Sequence, residues 1–490
     1  MKYLVLLLLI LSLPIFIFKL GDSSLVSWDE GWFASIAKNI IKSGEVTKLY
    51  PPSRNTESVS SRIRAKSFSL RRDFAPDEAW GEDIPSVSLW ELHWNGSQFV
   101  DHPPLGFWLM AGSFKLLGVN EFSARLPSAL FGVASLFAIY LLGKELFNSR
   151  VGIFSMVGLI SSPWFVFRAR SGNLDIFLVF FFILSFYLAL KYLKDKKYGI
   201  FLGVALACLF LTKTLVGFTI VPVILYLFWK EKKLTLAYLS TPLLIGFIPF
   251  LIWFLIQSVT YNGFISRFLF IGVPGIKVAT SYVDNLKLFK DYLHSGVGRW
   301  FWPGVASLAV LPFLKQKRAY ILPLFFVFFA LPFIFSSKGH IWHLIPLHPI
   351  LILSFLGTGY VLAYKFTGRK ILSVFAVFLA TFLISFPQIR QNWYNFIDIP
   401  AFVSDEAILS REAGKYPYKF YIDDDFDPVA AFYSDKNVEQ ILEGDLSGIF
   451  AKKESFVLIT YQWRLEQAKI KPAEYRIVKM DRDKILVARE

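Results

Sequence analysis

The sequence predicts a mainly α protein, a polytopic helical bundle of about eleven membrane spans followed by a small soluble α/β domain. Three observations carry this expectation. The chain of 490 residues is 55% hydrophobic, with a mean hydropathy of +0.49. Only 18% of its residues are charged, against about a quarter in soluble domains. The apolar residues fall in long blocks, and the composition changes near residue 390.

Nearly uncharged runs occupy 3–18, 126–143, 151–167, 174–193, 234–257, 297–314, 319–335, 341–364 and 371–388. Each approaches the ~20 residues a helix needs to cross ~30 Å of hydrocarbon. Two shorter runs, 198–212 and 215–229, flank Lys213. So many uncharged runs exclude a large soluble protein. The first run follows Lys2, as in a secretory signal, but continues Phe18-Lys19-Leu20-Gly21-Asp22 without a small-residue cleavage pattern. It is expected to remain as the first span. Cys208 is the one cysteine, so no disulfide forms within the chain. Asn95-Gly96-Ser97 fits the glycosylation sequon, a short match that also arises by chance.

The net charge of +15 is placed rather than spread. Five linkers, Lys144–Arg150, Lys191–Lys197, Lys230–Lys233, Lys315–Arg318 and Lys365–Lys370, are basic. With Lys2 they hold 16 Lys and Arg against Glu145, Asp195 and Glu231, a surplus of 13 of the +15. That is the positive-inside signal of cytoplasmic loops and excludes a nucleic-acid face. It also decides the apolar stretch 103–118. If that stretch crossed, every basic linker would lie outside; read as a juxtamembrane or re-entrant helix, all five lie inside. The amino terminus is then inside and the carboxyl terminus outside.

The expected domains are a membrane domain, 1–389, with a long first extracytoplasmic loop at about 21–125, and a soluble domain, 390–490. Other outside segments are 168–173, 212–214, 258–296 and 336–340. The stretch 50–95 reads as a polar insertion. In the tail, Lys419–Asp423 reads as a strand entering an acidic turn, Pro428–Ser434 as a helix start and Ser455–Tyr461 as a strand. Tyr475–Met480 and Lys484–Arg489 flank Asp481-Arg482-Asp483 as a hairpin.

Charges beside spans are costly, so each needs a reason. Asp29-Glu30 follow the first span, either as an N-cap for a helix Glu30–Ile41 or as carboxylates placed for acid–base work. Asp101-His102-Pro103-Pro104-Leu105 is a rigid turn that opens a helix. Asp175 opens a span, with Arg170 as a plausible ion-pair partner. Lys213 sits between apolar runs, where a snorkelling role is the plain alternative. His340, His343 and His348 fall within nine positions, after Lys338. They permit a divalent metal, but with no cysteine or Glu-x-x-His pattern, phosphate binding or substrate contact is the better reading. Charge topology puts all five clusters on one side of the membrane. A cavity lined by them suits an anionic lipid headgroup, with a carboxylate ready to activate an acceptor.

These motifs resemble the GT-C glycosyltransferases. Asp29-Glu30 after the first span, His102-Pro103-Pro104-Leu105 and Glu121-Phe122-Ser123-Ala124-Arg125-Leu126-Pro127-Ser128-Ala129 carry the likeness, supported by Arg170 to Asp175, Leu211-Thr212-Lys213 and Ser337-Lys338 through Pro346. The groups resembled are the protein O-mannosyltransferases and the bacterial lipid A aminoarabinose and galacturonic acid transferases. The resemblance covers roughly the first 390 residues. It implies an inverting transfer from a polyprenyl-phosphate sugar to a lipid A or other envelope glycolipid, or to a protein hydroxyl, at the outer face of a bacterial inner membrane. It implies Asp29 as the catalytic base or its partner, with Glu30 beside it, and Asp175 as a second carboxylate near the acceptor. It further implies Lys213, Lys338 and Arg267 on the carrier phosphate, with Asp101, His102, Arg170, His340 and His343 contacting substrate. Asp101-His102 stands where aminoarabinose transferases carry Glu-Lys, so the donor sugar is not implied. A lipid-linked sugar flippase is the rival class; it predicts inverted repeats and mid-span polar residues, and neither is evident.

Overall fold

The computed structural model describes residues 2–49, 89–272, 282–314, 316–334, 340–423, 428–441, 446–452 and 454–490. Lys338 and the 50–88 part of the polar insertion lie outside these residues.

The chain forms two compact units, Met1–Leu25 with Val100–Val403, and Val26–Phe99 with Ser404–Glu490. Hydropathy places a division at 389/390; the contacts instead join the first-loop helix to the tail.

The first unit holds α1 (Lys2–Ile17) and then, after the segment belonging to the second unit, α3 (Leu105–Leu117), α4 (Glu121–Leu146), α5 (Ser149–Ser161), α6 (Pro163–Ala169), α7 (Asp175–Tyr192) and α8 (Tyr198–Phe210). It continues with α9 (Val221–Lys230), α10 (Leu236–Thr260), α11 (Phe264–Gly272), α12 (Tyr282–Val297), α13 (Phe301–Val310), α14 (Ile321–Ile334), α15 (His348–Thr367) and α16 (Lys370–Asn392). Each of the eleven apolar runs is helical. Among the described residues six helical stretches are long and apolar enough to cross a membrane, and a seventh counts if α5 and α6, bent by 73°, are one span. The other four expected spans are shorter apolar helices, as is α3. The 13 residues of α3 reach about 20 Å at ~1.5 Å per residue. The chain is an integral membrane protein.

The α5–α6 bend has an identifiable cause. Pro163 begins α6 and cannot donate to the preceding turn. The Ser161 carbonyl freed there accepts from Gln388 Nε2 (3.1 Å) and Asn392 Nδ2 (2.9 Å). Ser161 Oγ accepts from Trp300 Nε1 at 2.8 Å. Ser162 Oγ meets His348 Nδ1 at 2.8 Å. His348 thus belongs to the bend rather than to a histidine site.

The second unit holds α2 (Ser27–Leu49), the hairpin of β1 (Leu92–Trp94) and β2 (Ser97–Phe99), and the tail. Asn95 (φ 50°) and Gly96 (φ 78°) turn the hairpin, since both positions need positive φ and Asn-Gly tolerates it. Asn95 also grips Val438, accepting from its N–H at 2.6 Å and donating to its carbonyl at 2.7 Å. The sequon asparagine is therefore occupied structurally.

In the tail come α17 (Asp405–Ala413), β3 (Lys419–Asp423), α18 (Pro428–Ser434), β4 (Val438–Ile441), α19 (Leu446–Ala451), β5 (Phe456–Tyr461), α20 (Gln462–Gln467), β6 (Arg476–Asp481) and β7 (Lys484–Arg489). The sheet runs β4-β3-β5-β7-β6. β3 is parallel to both β4 and β5, and β7 is antiparallel to β5 and β6. Alternate strand residues feed two cores. Leu409, Ala413 and Ala430 cover one face of the sheet, and Ile449, Phe450 and Leu465 the other. The strands, the Pro428–Ser434 helix and the β6–β7 hairpin expected from sequence are present, and the acidic turn at 424–427 lies outside the described residues.

Candidate active site

In the first unit, α7 starts at Asp175, whose side chain is 1% exposed. Its placement is built locally. Asn173 donates to the Arg168 carbonyl at 2.7 Å and accepts from the Asp175 N–H at 2.9 Å. Ser128 of the Arg125–Ala129 motif donates to the Asn173 carbonyl at 2.9 Å. The carboxylate takes cations on both oxygens. Arg168 donates to Oδ2 through Nε (2.8 Å) and Nη2 (2.5 Å). Lys213 Nζ donates to Oδ1 at 2.6 Å.

Two buried cations thus face one buried carboxylate. Lys213 is 9% exposed at its side chain, so it is a buried partner rather than a snorkelling lysine. Its ammonium has three N–H donors, and Asp175 accounts for one. The guanidinium of Arg168 also lies over the Trp342 ring at 5.3 Å. That contact brings the Ile341–Leu347 turn to the cluster. His343 is within electrostatic range of Lys213, Asp175 and Arg168. His340 is exposed, stacks on Trp342 at 4.6 Å and donates its backbone N–H to His343 Nδ1 at 3.4 Å.

The partner of Asp175 is Arg168, not Arg170. Arg170 is consumed elsewhere, donating to the carbonyls of Ile15 (2.9 Å), Phe18 (2.8 Å) and Phe396 (3.2 Å). Arg125 does the same one turn on, with Leu20 (2.9 Å), Ser23 (2.9 Å) and Ser24 (2.8 Å). Together they satisfy carbonyls that α1 and the turns after it leave open, and they fix the chain just ahead of Asp29. Two arginines two residues apart look alike in sequence. Only the ends of α6 and the following turn decide which one faces Asp175.

Asp101 and Arg267 also find each other, through Nε to Oδ1 (2.6 Å) and Nη2 to Oδ2 (3.2 Å). Burial opposes the Arg267 charge, but the Asp101 hydrogen bond and charge hold the guanidinium above its ordinary pKa. The Pro103-Pro104 turn after Asp101 and His102 packs on the same corner as Lys213. Leu105 N–H donates to the Leu211 carbonyl at 3.0 Å. A Cβ on Gly106 would lie 2.2 Å from Leu174 Cδ2, so α3 meets the start of α7 closely at a residue without a side chain.

The second unit carries Asp29 and Glu30. Helix α2 starts at Ser27, three residues before the expected start, so Asp29 lies in the first turn and is not its N-cap. Glu30, 3% exposed, accepts the Val26 N–H at 2.8 Å, which satisfies a backbone donor just ahead of the helix. Asp29 is half-buried. The helix is locked to the tail. Gly31 packs against the start of α18, where a Cβ would meet Val429 Cγ2 at 2.6 Å. Lys38 donates to the Phe432 carbonyl at 2.9 Å and pairs with Asp435 at 2.8 Å. Among the described residues no three His, Cys, Asp or Glu side chains are grouped to hold a metal ion.

The comparisons with known proteins follow the same lines. Residues 101–253 match the family model described as dolichyl-phosphate-mannose-protein mannosyltransferase. Across 99% of this chain and 97% of the other, the structure aligns with ArnT from Cupriavidus metallidurans bound to undecaprenyl phosphate, with a TM-score of 0.69 and 14% identity. The chain has a GT-C fold. Among sequence relatives, an Aquifex aeolicus protein without an assigned function is 27% identical over 52% of this chain and 44% of its own length. An undecaprenyl phosphate-alpha-4-amino-4-deoxy-L-arabinose arabinosyl transferase of Shewanella sediminis is 26% identical over 34% of this chain and 33% of its own. The chain therefore spans less than half the length of these relatives, and the similarity is to the protein mannosyltransferase and aminoarabinose transferase branches of the GT-C superfamily.

Proposed function

We propose that this GT-C protein transfers a sugar from a polyprenyl-phosphate carrier to an acceptor on the extracytoplasmic face. The observation that carries the reading is the buried cluster of Arg168, Lys213 and Asp175, with two cations against one carboxylate. Burying two cations is costly in a low-dielectric interior. A phosphate headgroup entering beside Lys213 would lower that cost and find ammonium donors already oriented. The ArnT neighbour was solved with undecaprenyl phosphate, which supports a carrier of that class.

The reaction then balances simply. An acceptor hydroxyl attacks the anomeric carbon opposite the phosphate, and its proton passes to the Asp29 carboxylate. The bond from the anomeric carbon to the phosphate oxygen breaks, and polyprenyl phosphate leaves with both electrons. The configuration inverts. Phosphate is a good leaving group, so the protein mainly positions the acceptor and removes its proton. Glu30 keeps the start of α2 in place, Asp175 orients Lys213 and Arg168, and Asp101 orients Arg267. Lys338 and the histidines His340 and His343 complete the substrate contacts, with His102 and Arg170 shaping the turns around them.

Lipid A or another envelope glycolipid of the bacterial inner membrane is the first acceptor class. The family description at residues 101–253 favours a protein hydroxyl as the second. Purified protein in nanodiscs, given a polyprenyl-phosphate sugar and either acceptor, should release polyprenyl phosphate and form glycosylated product. A flippase would move the donor and release none.

A further inference from the structure

The first unit has a second constellation, at the far end of its helices, that the transfer reaction does not use. Helix α7 begins at Asp175 and ends at Tyr192, so it separates its two ends by about 27 Å at ~1.5 Å per residue. Beyond Tyr192, four of the five basic linkers are tied to one another. Lys194 pairs with Glu145, Lys233 donates to the Leu193 carbonyl, and Arg318 grips Glu231 through Nε (2.7 Å) and Nη2 (2.8 Å). Those ties use up the carboxylates, since Asp195 goes to Lys197 at 2.8 Å. Residues 1, 273–281, 315 and 335–339 complete this unit and hold no Asp or Glu. Among the described residues Lys191, Lys196 and Lys233 form no ion pair.

These three lysines lie against two tyrosine rings instead. Lys191 is 5.2 Å from the Tyr198 ring, with Lys197 at 5.6 Å. Lys196 is 4.9 Å and Lys233 5.1 Å from the Tyr238 ring. Tyr192 holds the second ring in place, donating its hydroxyl to the Tyr238 carbonyl at 3.1 Å with the rings 5.4 Å apart. The helices that carry the tyrosines pack closely, since a Cβ on Gly203 of α8 would meet Ile245 Cβ of α10 at 2.7 Å. Beside the lysines, Ile200 and Phe201 of α8 and Leu236 and Leu244 of α10 are exposed. A ligand here must bring negative charge at one end and hydrocarbon at the other. Ammonium groups suit a phosphodiester, tyrosines sit at headgroup depth, and the outward apolar side chains suit acyl chains. A soluble anion would meet only the first of these demands.

We propose that Lys191, Lys196 and Lys233, with Tyr198 and Tyr238, bind the headgroup of an anionic phospholipid at the end of the bundle opposite the Asp175 cluster. The charge topology read from the sequence puts that face inside. The site stands independently of the transfer reaction. Lysines that served only to orient the chain would work equally well apart. Here the α7–α8 and α9–α10 linkers, 40 residues apart in the Lys233–Leu193 contact, bring theirs to one patch. The fifth linker supplies the contrast, with Lys365 and Lys370 exposed at the far end of α15 and the start of α16.

The test uses the full-length protein in detergent micelles, titrated with dioleoyl phosphatidylglycerol and followed by native mass spectrometry. Retained lipid is expected in the parent. Affinity should be about tenfold or more lower in Lys191→Gln with Lys196→Gln, near the parent's in Lys365→Gln with Lys370→Gln, and largely kept in Lys191→Arg with Lys196→Arg. Both glutamine doubles remove the same charge, so equal losses in the two, or no loss in the first, overturn the site. Dioleoyl phosphatidylcholine, which is zwitterionic, should bind more weakly than the glycerol lipid; equal retention overturns the charge requirement. Inorganic phosphate should leave the bound lipid in place. Displacement of the lipid by phosphate at equal concentration would overturn the phospholipid assignment in favour of a plain anion site.

Discussion

Asp175 in the first unit and Asp423 in the second are almost fully buried against an arginine, and a lysine sets the first apart. Asp423 takes hydrogen bonds from Arg464 and from the neutral hydroxyl of Thr460. Asp175 takes them from Arg168 and also from Lys213, so one buried carboxylate is shared by two cations. Burying charges is costly unless each is matched, so a second cation on one carboxylate is the feature that asks for a reason.

The strongest way to sharpen the comparison of the two units is at Asp29. Asp29→Asn keeps shape and hydrogen bonding but removes the basic carboxylate. Turnover should fall by about two to four orders of magnitude, the usual worth of general-base catalysis, while donor affinity stays near the parent's. Because Asp29 lies inside the first turn of α2, loss of a cap cannot account for such a drop. Near-normal turnover in purified Asp29→Asn would shift the chemistry to the first unit, with Asp175 as the remaining carboxylate.

Asp423→Asn tests the pair in the second unit. Breaking a fully buried pair costs about 3–5 kcal/mol. The tail should become protease-sensitive at a lower temperature, with donor binding unaltered. A large loss of donor affinity with an intact tail would mean that the second unit also handles the carrier.

Lys213→Ala makes the first site resemble the second, since it leaves Asp175 and Arg168 alone. A charge-assisted contact is worth roughly 1.5–3 kcal/mol, so donor affinity should drop by about tenfold or more. Unchanged affinity, measured by titrating polyprenyl phosphate, would take Lys213 out of the carrier site.

How much of this was legible in the sequence depends on the scale of the signal. Spans read clearly because twenty apolar residues in a row have few other uses, and all eleven runs are helices. In the tail, β3, β5, α18 and the β6–β7 hairpin announce themselves by β-rich runs and turn residues. The short helices α19 and α20 and strand β4 do not, because four to six residues carry no usable period. At the site, Asp175 and Lys213 stand out as charges in apolar surroundings, whereas choosing Arg168 over Arg170 requires knowing where α6 ends. The pairing of Asp101 with Arg267 spans 166 residues, beyond any local pattern. The assignment of α2 to the tail is equally non-local. It rests on Gly31 and Lys38, neither of which looks unusual in sequence.

The smallest expected effect concerns that α2–α18 lock and sets the floor of the comparison, since its ion pair is half-exposed. Asp435 pairs with both Lys38 and Lys42. Burial alone would raise its carboxyl pKa; hydrogen bonds from the two lysines more than offset this and hold it below the ordinary 3.8. A folded-state value lower than the unfolded one means that the native state binds fewer protons, so the stabilisation is fully present above about 3.8 and is lost as pH falls through the lower folded value. With 48% of the Asp435 side chain exposed, solvent screening limits the contribution to about 1 kcal/mol or less. Hydrogen exchange of the α2 amides in parent and Asp435→Asn should therefore differ modestly at pH 7 and converge as the pH drops below about 3.8. A difference that grows on acidification would show that the lock is held by packing at Gly31 and not by this charge. A difference far above 1 kcal/mol at neutral pH would place the pair with Asp175 and Asp423 rather than with surface ion pairs.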